Sequence, residues 1–169
     1  WLAAKGGDAD ALIGEKNALP DQRRVGPQVW RTAVPEELYP TRYVEELSIE
    51  FLEDCAADEA PFFAQISFPD PHHPWDPPAE AAARFDWREL PLPAGYPGSV
   101  EKCLDVLETK PRHWKEWYLG ERRFAFEVPP AFVPAKLSAD AIREVNAKVH
   151  AENELIDEAV GLVVDYLKA

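Results

Sequence analysis

The sequence is poor in several residue types that define whole classes of protein. Among 169 residues there is no methionine, there are two cysteines, and 18 lysines and arginines face 31 aspartates and glutamates. Cys55 and Cys103 are too few for a disulfide framework and do not form a zinc motif. A formal net charge of −13 excludes the basic stripe of a nucleic-acid-binding protein and disfavours docking on an anionic membrane. An anionic substrate would therefore need local positive groups.

Long apolar runs are absent as well. No segment approaches the roughly 20 apolar residues that span a bilayer, so we expect no membrane insertion. Hydrophobic residues still make up 46% of the chain, which is typical of a globular domain with a core. Because the chain starts at Trp1 and lacks methionine, we expect residues 1–169 to be part of one domain completed by the rest of the same polypeptide. Compartment and oligomeric state stay open.

The apolar run 62–68 is the most informative segment present. It is long enough for one strand, too short for a helix, and apolar on both faces except at Gln65 and Ser67. These properties predict a buried strand in a parallel sheet covered by helices. Five prolines then stop the strand, namely Pro69, Pro71, Pro74, Pro77 and Pro78. Ligands of open α/β sheets bind at such strand ends, so we place the candidate site there.

Two adjacent histidines, His72 and His73, lie in this proline-rich loop. A histidine with a pKa near 6.5 can protonate a leaving oxygen or donate to an anion. Neighbours in an extended loop point in opposite directions, so only one is expected to face a small ligand. Asp70 and Asp76 either orient a histidine ring or cap the loop. Trp75 either stacks on a substrate ring or anchors the loop in the core.

Two long helices flank this segment. Thr41 is the predicted N-cap of the first, and Ser138 of the second, which we expect over Ala139 to Lys168. The apolar face of the first helix is predicted to contain Val44, Leu47, Phe51, Leu52 and Cys55. The apolar stripe of the second is predicted to contain Ile142, Val145, Val149, Ile156, Val160, Val163 and Leu167. Gly161 within that helix indicates close approach of another backbone, and a coiled-coil seam is the alternative.

Residues 87–135 are rich in proline and aromatic side chains and form a predicted insertion. Such an excursion after a site loop shapes a substrate pocket or acts only as a lid over the core. His113 lies there in a basic and aromatic cluster, where it either holds an anionic or aromatic substrate or sits on a surface turn. His150, in the last helix, is interpreted as a packing residue.

Three segments in order resemble the sulfatases of the alkaline-phosphatase-like superfamily. They are residues 35–43 with the helix that follows, residues 61–74, and residues 155–161 with Leu167. The resemblance implies an α/β fold, namely a portion of an α/β/α sandwich with a mainly parallel central sheet, a Pro/aromatic-rich insertion at 87–135 and a long C-terminal helix. It also implies hydrolysis of sulfate esters of small molecules or sugars.

The same resemblance distinguishes the two histidines. In that family a histidine followed by one residue and a proline contacts the sulfate and the leaving-group oxygen, and His72 matches it. We therefore take His72 as the catalytic candidate and His73, Asp70, Trp75 and His113 as substrate-binding candidates. The alternatives are a phosphonate monoester or phosphodiester hydrolase of the superfamily, and a non-catalytic sulfatase-like binding module.

The family's nucleophile and metal ligands are not matched by residues of this chain. The nucleophile is a formylglycine made from the first residue of a Cys/Ser-x-Pro-x-Arg motif, and neither Cys55, Cys103 nor Ser67 begins one. The family's divalent cation, Ca²⁺ or Mg²⁺/Mn²⁺, is held by segments that we do not find either. We therefore predict no metal ligand in this chain and no catalysis by this segment alone.

Overall fold

The structure is built mainly from helices. A computed structural model describes residues 1–20, 25–58, 61–121 and 133–169. In these residues the α-helices are α1 (Ala9–Leu12), α2 (Pro40–Asp58), α3 (Ala79–Ala82), α4 (Val100–Glu108), α5 (Arg112–Tyr118) and α6 (Ala139–Lys168). Single 3₁₀ turns occur at Ala3–Lys5, Glu15–Asn17, Glu36–Leu38, Trp87–Glu89 and Pro134–Lys136. None of the described helices is both long and apolar enough to cross a bilayer.

The predicted parallel-sheet sandwich is wrong. Over the described residues the chain has no strand, only two isolated bridges, Leu19 with Arg31 and Val29 with Trp75. The run 62–68, predicted as a buried central strand, has no regular structure, and Phe63 is 89% exposed. A strand requires a neighbouring strand to satisfy its N–H and C=O groups. Because the described residues offer no such neighbour, local apolar pattern alone does not produce a sheet here.

Helix α6 is the central support of the fold. Its predicted bounds and cap are confirmed, since Ser138 Oγ accepts a hydrogen bond from the Ala141 N–H at 3.1 Å. The predicted stripe is confirmed at Val163, which is buried, and is wrong at Val160 and Leu167, which are 45% and 59% exposed. The buried face consists of Ala141, Glu144, Ala147, Lys148, Ala151, Glu152, Leu155, Ala159 and Val163. Its alanines allow α2 and α3 to pack closely on α6.

The close backbone approach predicted at Gly161 is not observed. A Cβ placed there would meet no described atom within 4 Å. Helix α2 also differs from expectation, because it begins at Pro40 and Thr41 lies within it, 1% exposed, instead of capping it. Leu47 and Phe51 are exposed, because α2 turns its Thr41, Ser48 and Leu52 side to the interior.

The core lies where α3, α6 and the segment before α2 meet. It contains Val34, Tyr39, Ala81, Ala151 and Leu155, with Leu12, Leu38 and Phe85 packed around it. Ion pairs join the same elements at the surface: Arg84 reaches Glu36 at 2.8 Å and Glu154 at 2.9 Å, and Arg42 reaches Glu158 at 2.8 Å. The start of α2 is thereby held against α6.

The described part of the predicted insertion contains the Trp87–Glu89 turn, α4, α5 and the Pro134–Lys136 turn. The Trp87–Glu89 turn packs on α6, and α4 contacts both α5 and the Pro134–Lys136 turn. Residues 122–132 of the insertion lie outside the described part. A pocket-shaping role for 87–135 stays a prediction.

Candidate functional site

The histidine loop follows the run 62–68 and returns the chain towards Val29. The His72 N–H donates to the Pro69 carbonyl at 3.2 Å, which closes a turn. Trp75 then pairs with the neighbouring segment: its N–H donates to the Gln28 carbonyl at 2.8 Å, and its carbonyl accepts from the Trp30 N–H at 3.2 Å. The loop is thus a folded turn fixed at its exit, with both histidines at its tip.

The two imidazole rings lie side by side. Their centroids are 4.2 Å apart, and His72 Nδ1 lies 2.7 Å from the His73 carbonyl oxygen. Because a carbonyl only accepts, Nδ1 must donate, which leaves Nε2 for other partners. The expectation that neighbouring histidines point in opposite directions is wrong, because residues 70–74 form turns and bends and are not extended. No described residue hydrogen-bonds to His72 Nε2.

Both histidines line a cavity of about 620 Å³. Its wall is mainly apolar and aromatic, and its lining residues include neither lysine nor arginine. The lining residues are Trp1, Leu2, Ile13, Gly14, Thr32, Val34, Leu38, Tyr39, Pro40, Tyr43, Pro69, Asp70, His72, His73, Pro74 and Asp76. His72 and His73 are therefore the side chains in this lining that can carry a positive charge.

Three acidic side chains, Asp70, Asp76 and Glu152, form a carboxyl cluster at the two ends of the loop, in which Asp70 and Asp76 line the cavity and Glu152 does not. Burial, reinforced by the charge of Asp70, raises the pKa of Asp76 to about 7 and that of Glu152 to about 9. Burial also raises the pKa of Asp70, although hydrogen bonds from Tyr39 and Thr41 act in the opposite direction. Glu152 is therefore mainly protonated at neutral pH, and Asp76 is about half protonated.

The cluster also fixes the two ends of the loop. Before the histidines, Asp70 Oδ2 accepts from the Thr41 hydroxyl of α2 at 3.5 Å. After them, the Asp76 N–H donates to Glu152 Oε1 of α6 at 2.9 Å. Sequence reasoning did not assign Glu152 to the site, although Glu152 and Asn153 are polar residues between Val149 and Ile156 of the predicted apolar stripe. A charged residue that breaks an apolar helical face was the signal available.

The remaining predicted site residues lie elsewhere. The Trp75 indole donates to the Pro71 carbonyl at 3.2 Å, so it braces the loop from behind and does not line the cavity. His113 lies on α5, also outside the cavity lining. His150 is exposed and stacks on Phe85 at 5.8 Å between ring centroids. Substrate contacts by Trp75 and His113 stay predictions.

A metal ion does not fit the described residues. No group of three or more histidine, cysteine, aspartate or glutamate side chains in residues 1–20, 25–58, 61–121 and 133–169 could hold one. The divalent cation and the formylglycine implied by the family resemblance stay predictions for the longer protein.

Comparison with known proteins points to one class. The chain is 24% identical over 172 residues to an uncharacterized sulfatase of Escherichia coli strain K12, YidJ. The match covers 95% of this chain but 30% of that protein, so the chain spans less than a third of its relative. No family model matches the chain. At 24% identity, the similarity supports the interpretation of this chain as a sulfatase-like fragment of hydrolase origin.

Proposed function

We propose that this chain is part of a sulfate ester hydrolase in which His72 contacts the sulfate and the leaving-group oxygen. The observation that carries the proposal is the His72 ring at the cavity, with Nδ1 held by the His73 carbonyl at 2.7 Å and Nε2 unengaged by described residues. Similarity to a sulfatase over 95% of the chain supports the same class.

The held ring suits proton donation. When the imidazole is protonated, Nε2–H can donate to the ester oxygen, and as the S–O bond breaks the proton passes to that oxygen. The ring is then neutral with its proton on Nδ1, so the hydrogen bond to the His73 carbonyl persists through the step. Before transfer, the protonated ring also offers a charged donor to the sulfate. The group that attacks sulfur is expected from the rest of the polypeptide.

The wall of the cavity favours an apolar organic group. Trp1, Leu2, Ile13, Leu38 and Tyr43 supply aromatic and aliphatic surface, and the lining has no lysine or arginine to bind a second anion. We therefore place the organic part of the ester in the cavity and its single sulfate at the histidines, with Asp70 and His73 beside it. This arrangement suits an aryl or alkyl sulfate better than a polysulfated sugar.

The test is the substitution His72→Ala in the full-length protein. Loss of a general acid should lower turnover of an aryl sulfate by about two to four powers of ten. The matched control is His150→Ala, which removes an exposed histidine outside the cavity and should keep turnover within about twofold. A loss below about threefold in His72→Ala would overturn the assignment.

The same assay identifies the substrate class. Aryl sulfate, sugar sulfate and aryl phosphonate esters are compared side by side, and we expect the aryl sulfate to have the highest kcat/KM. Higher kcat/KM on the phosphonate would indicate a phosphonate monoester hydrolase instead. No turnover of any ester by the full-length protein would favour a non-catalytic binding module.

A further inference from the structure

Glu152 is the most unusual residue near the loop. Its side chain is fully buried at 0% exposure in the middle of α6, on the face that carries Ala151 and Leu155. Acidic residues are almost never fully buried unless they have a partner. Its Oε1 accepts the Asp76 N–H at 2.9 Å, while its Oε2 is buried and has no hydrogen-bond partner among the described residues.

The surroundings of Glu152 favour its neutral form. The charges of Asp70 and Asp76 raise the pKa of Glu152, and the charge of Lys148 lowers it. Glu152 in turn helps to raise the pKa of Tyr39. Burial is the largest cause of its raised pKa. A carboxylate at this place would need donors on both oxygens, and Oε2 has none in the described residues. A neutral carboxyl keeps the acceptor role of Oε1, and burying its unpartnered O–H on Oε2 costs less free energy than burying an unpartnered charge there.

The contact of Glu152 with Asp76 connects two distant parts of the chain. The two residues are 76 positions apart, and the contact joins the exit of the histidine loop to the longest helix. The entry of the loop is held to α2 through Asp70 and Thr41. His72 and His73 lie between these two anchor points. The position of the imidazoles therefore depends on how firmly both ends are held.

We propose that Glu152 is a positioning residue for His72: its Oε1 accepts the Asp76 N–H and fixes the loop exit on α6, so that the imidazole stays at the cavity. Glu152 is not among the residues that line the cavity. Its role in turnover rests on the proposed function, whereas its hold on the loop does not. Displacing a reacting group by about 1 Å can cost about a hundredfold in rate, which is the reason for fixing the loop exit.

The test compares Glu152→Ala with Glu152→Gln in the full-length protein. Glutamine keeps an Oε1 acceptor for the Asp76 N–H, whereas alanine leaves that donor without a partner. Hydrogen exchange of the peptide containing Asp76 should accelerate at least tenfold in Glu152→Ala and stay within about threefold of wild type in Glu152→Gln. The control is Glu154→Ala, whose carboxylate pairs with Arg84 at the surface and which should leave this exchange unchanged.

Turnover supplies the second measurement. Per folded molecule, Glu152→Ala should lower kcat at least tenfold with KM changed less than threefold, and Glu152→Gln should restore kcat. Unchanged exchange at Asp76 in Glu152→Ala, or equal kcat losses in both variants, would overturn the positioning role. Accelerated exchange in Glu152→Ala with no ester turnover by the wild type would retain the anchor and reject the proposed function.

Discussion

The buried carboxyl of Glu152 makes a sharp prediction about stability and pH. In the folded protein its pKa is raised from 4.5 to about 9, mainly by burial and then by the charge of Asp70. Between these two pKa values the folded state keeps a proton that the unfolded chain releases. The free energy of unfolding must therefore fall as pH rises, by about 1.4 kcal/mol per pH unit from this one group.

The substitution Glu152→Gln removes this dependence while keeping the acceptor for Asp76. The difference in unfolding free energy, variant minus wild type, should increase by about 3 kcal/mol between pH 6 and pH 8. Asp70, Asp76 and Lys148 remain in both proteins, so their own titration largely cancels. Urea denaturation of the full-length protein, followed by tryptophan fluorescence at each pH, measures the difference.

A matched control separates this effect from general changes in charge. Glu154→Gln removes a carboxylate two residues along the same helix, where the side chain is 38% exposed and pairs with Arg84. The difference in unfolding free energy between Glu154→Gln and wild type should stay nearly constant between pH 6 and pH 8. If Glu152→Gln also shows a constant difference, Glu152 is ionised in the folded state and the reasoning about its neutral form is refuted.

Two further predictions concern the core and the exposed apolar run. Leu155→Ala should lower the free energy of unfolding by about 2–5 kcal/mol, because Leu155 is 1% exposed in the core. Leu167 is 59% exposed, so Leu167→Ala should lower it by under about 1 kcal/mol in the same urea titration, and equal losses in the two variants would contradict the described packing. The 169-residue chain purified alone should self-associate through the run 62–68, and Phe63→Lys should reduce the association; sedimentation of the unsubstituted chain as a clean monomer would contradict this.

Local features of the chain were predicted well where they depend on neighbours in sequence. The bounds of α6 and its Ser138 cap follow from a hydroxyl before a helical pattern, and they are confirmed. The proline-rich loop with its two histidines could also be located in advance. Asp70 and Asp76 could be named in advance as loop residues, but their meeting with Glu152 could not, because Glu152 lies on a helix 76 positions from Asp76 in the sequence.

The sequence alone determined the two long helices, the acidic balance, the location of the histidine loop and the resemblance that singles out His72. The tertiary structure decided which face of each helix is buried, that run 62–68 has no strand beside it among described residues, and that both imidazoles share one cavity. The physical reason is that periodicity and capping are local, whereas burial depends on which elements meet. Helix α6 packs through its alanines and encloses Glu152, because close approach of α2 and α3 requires small side chains there.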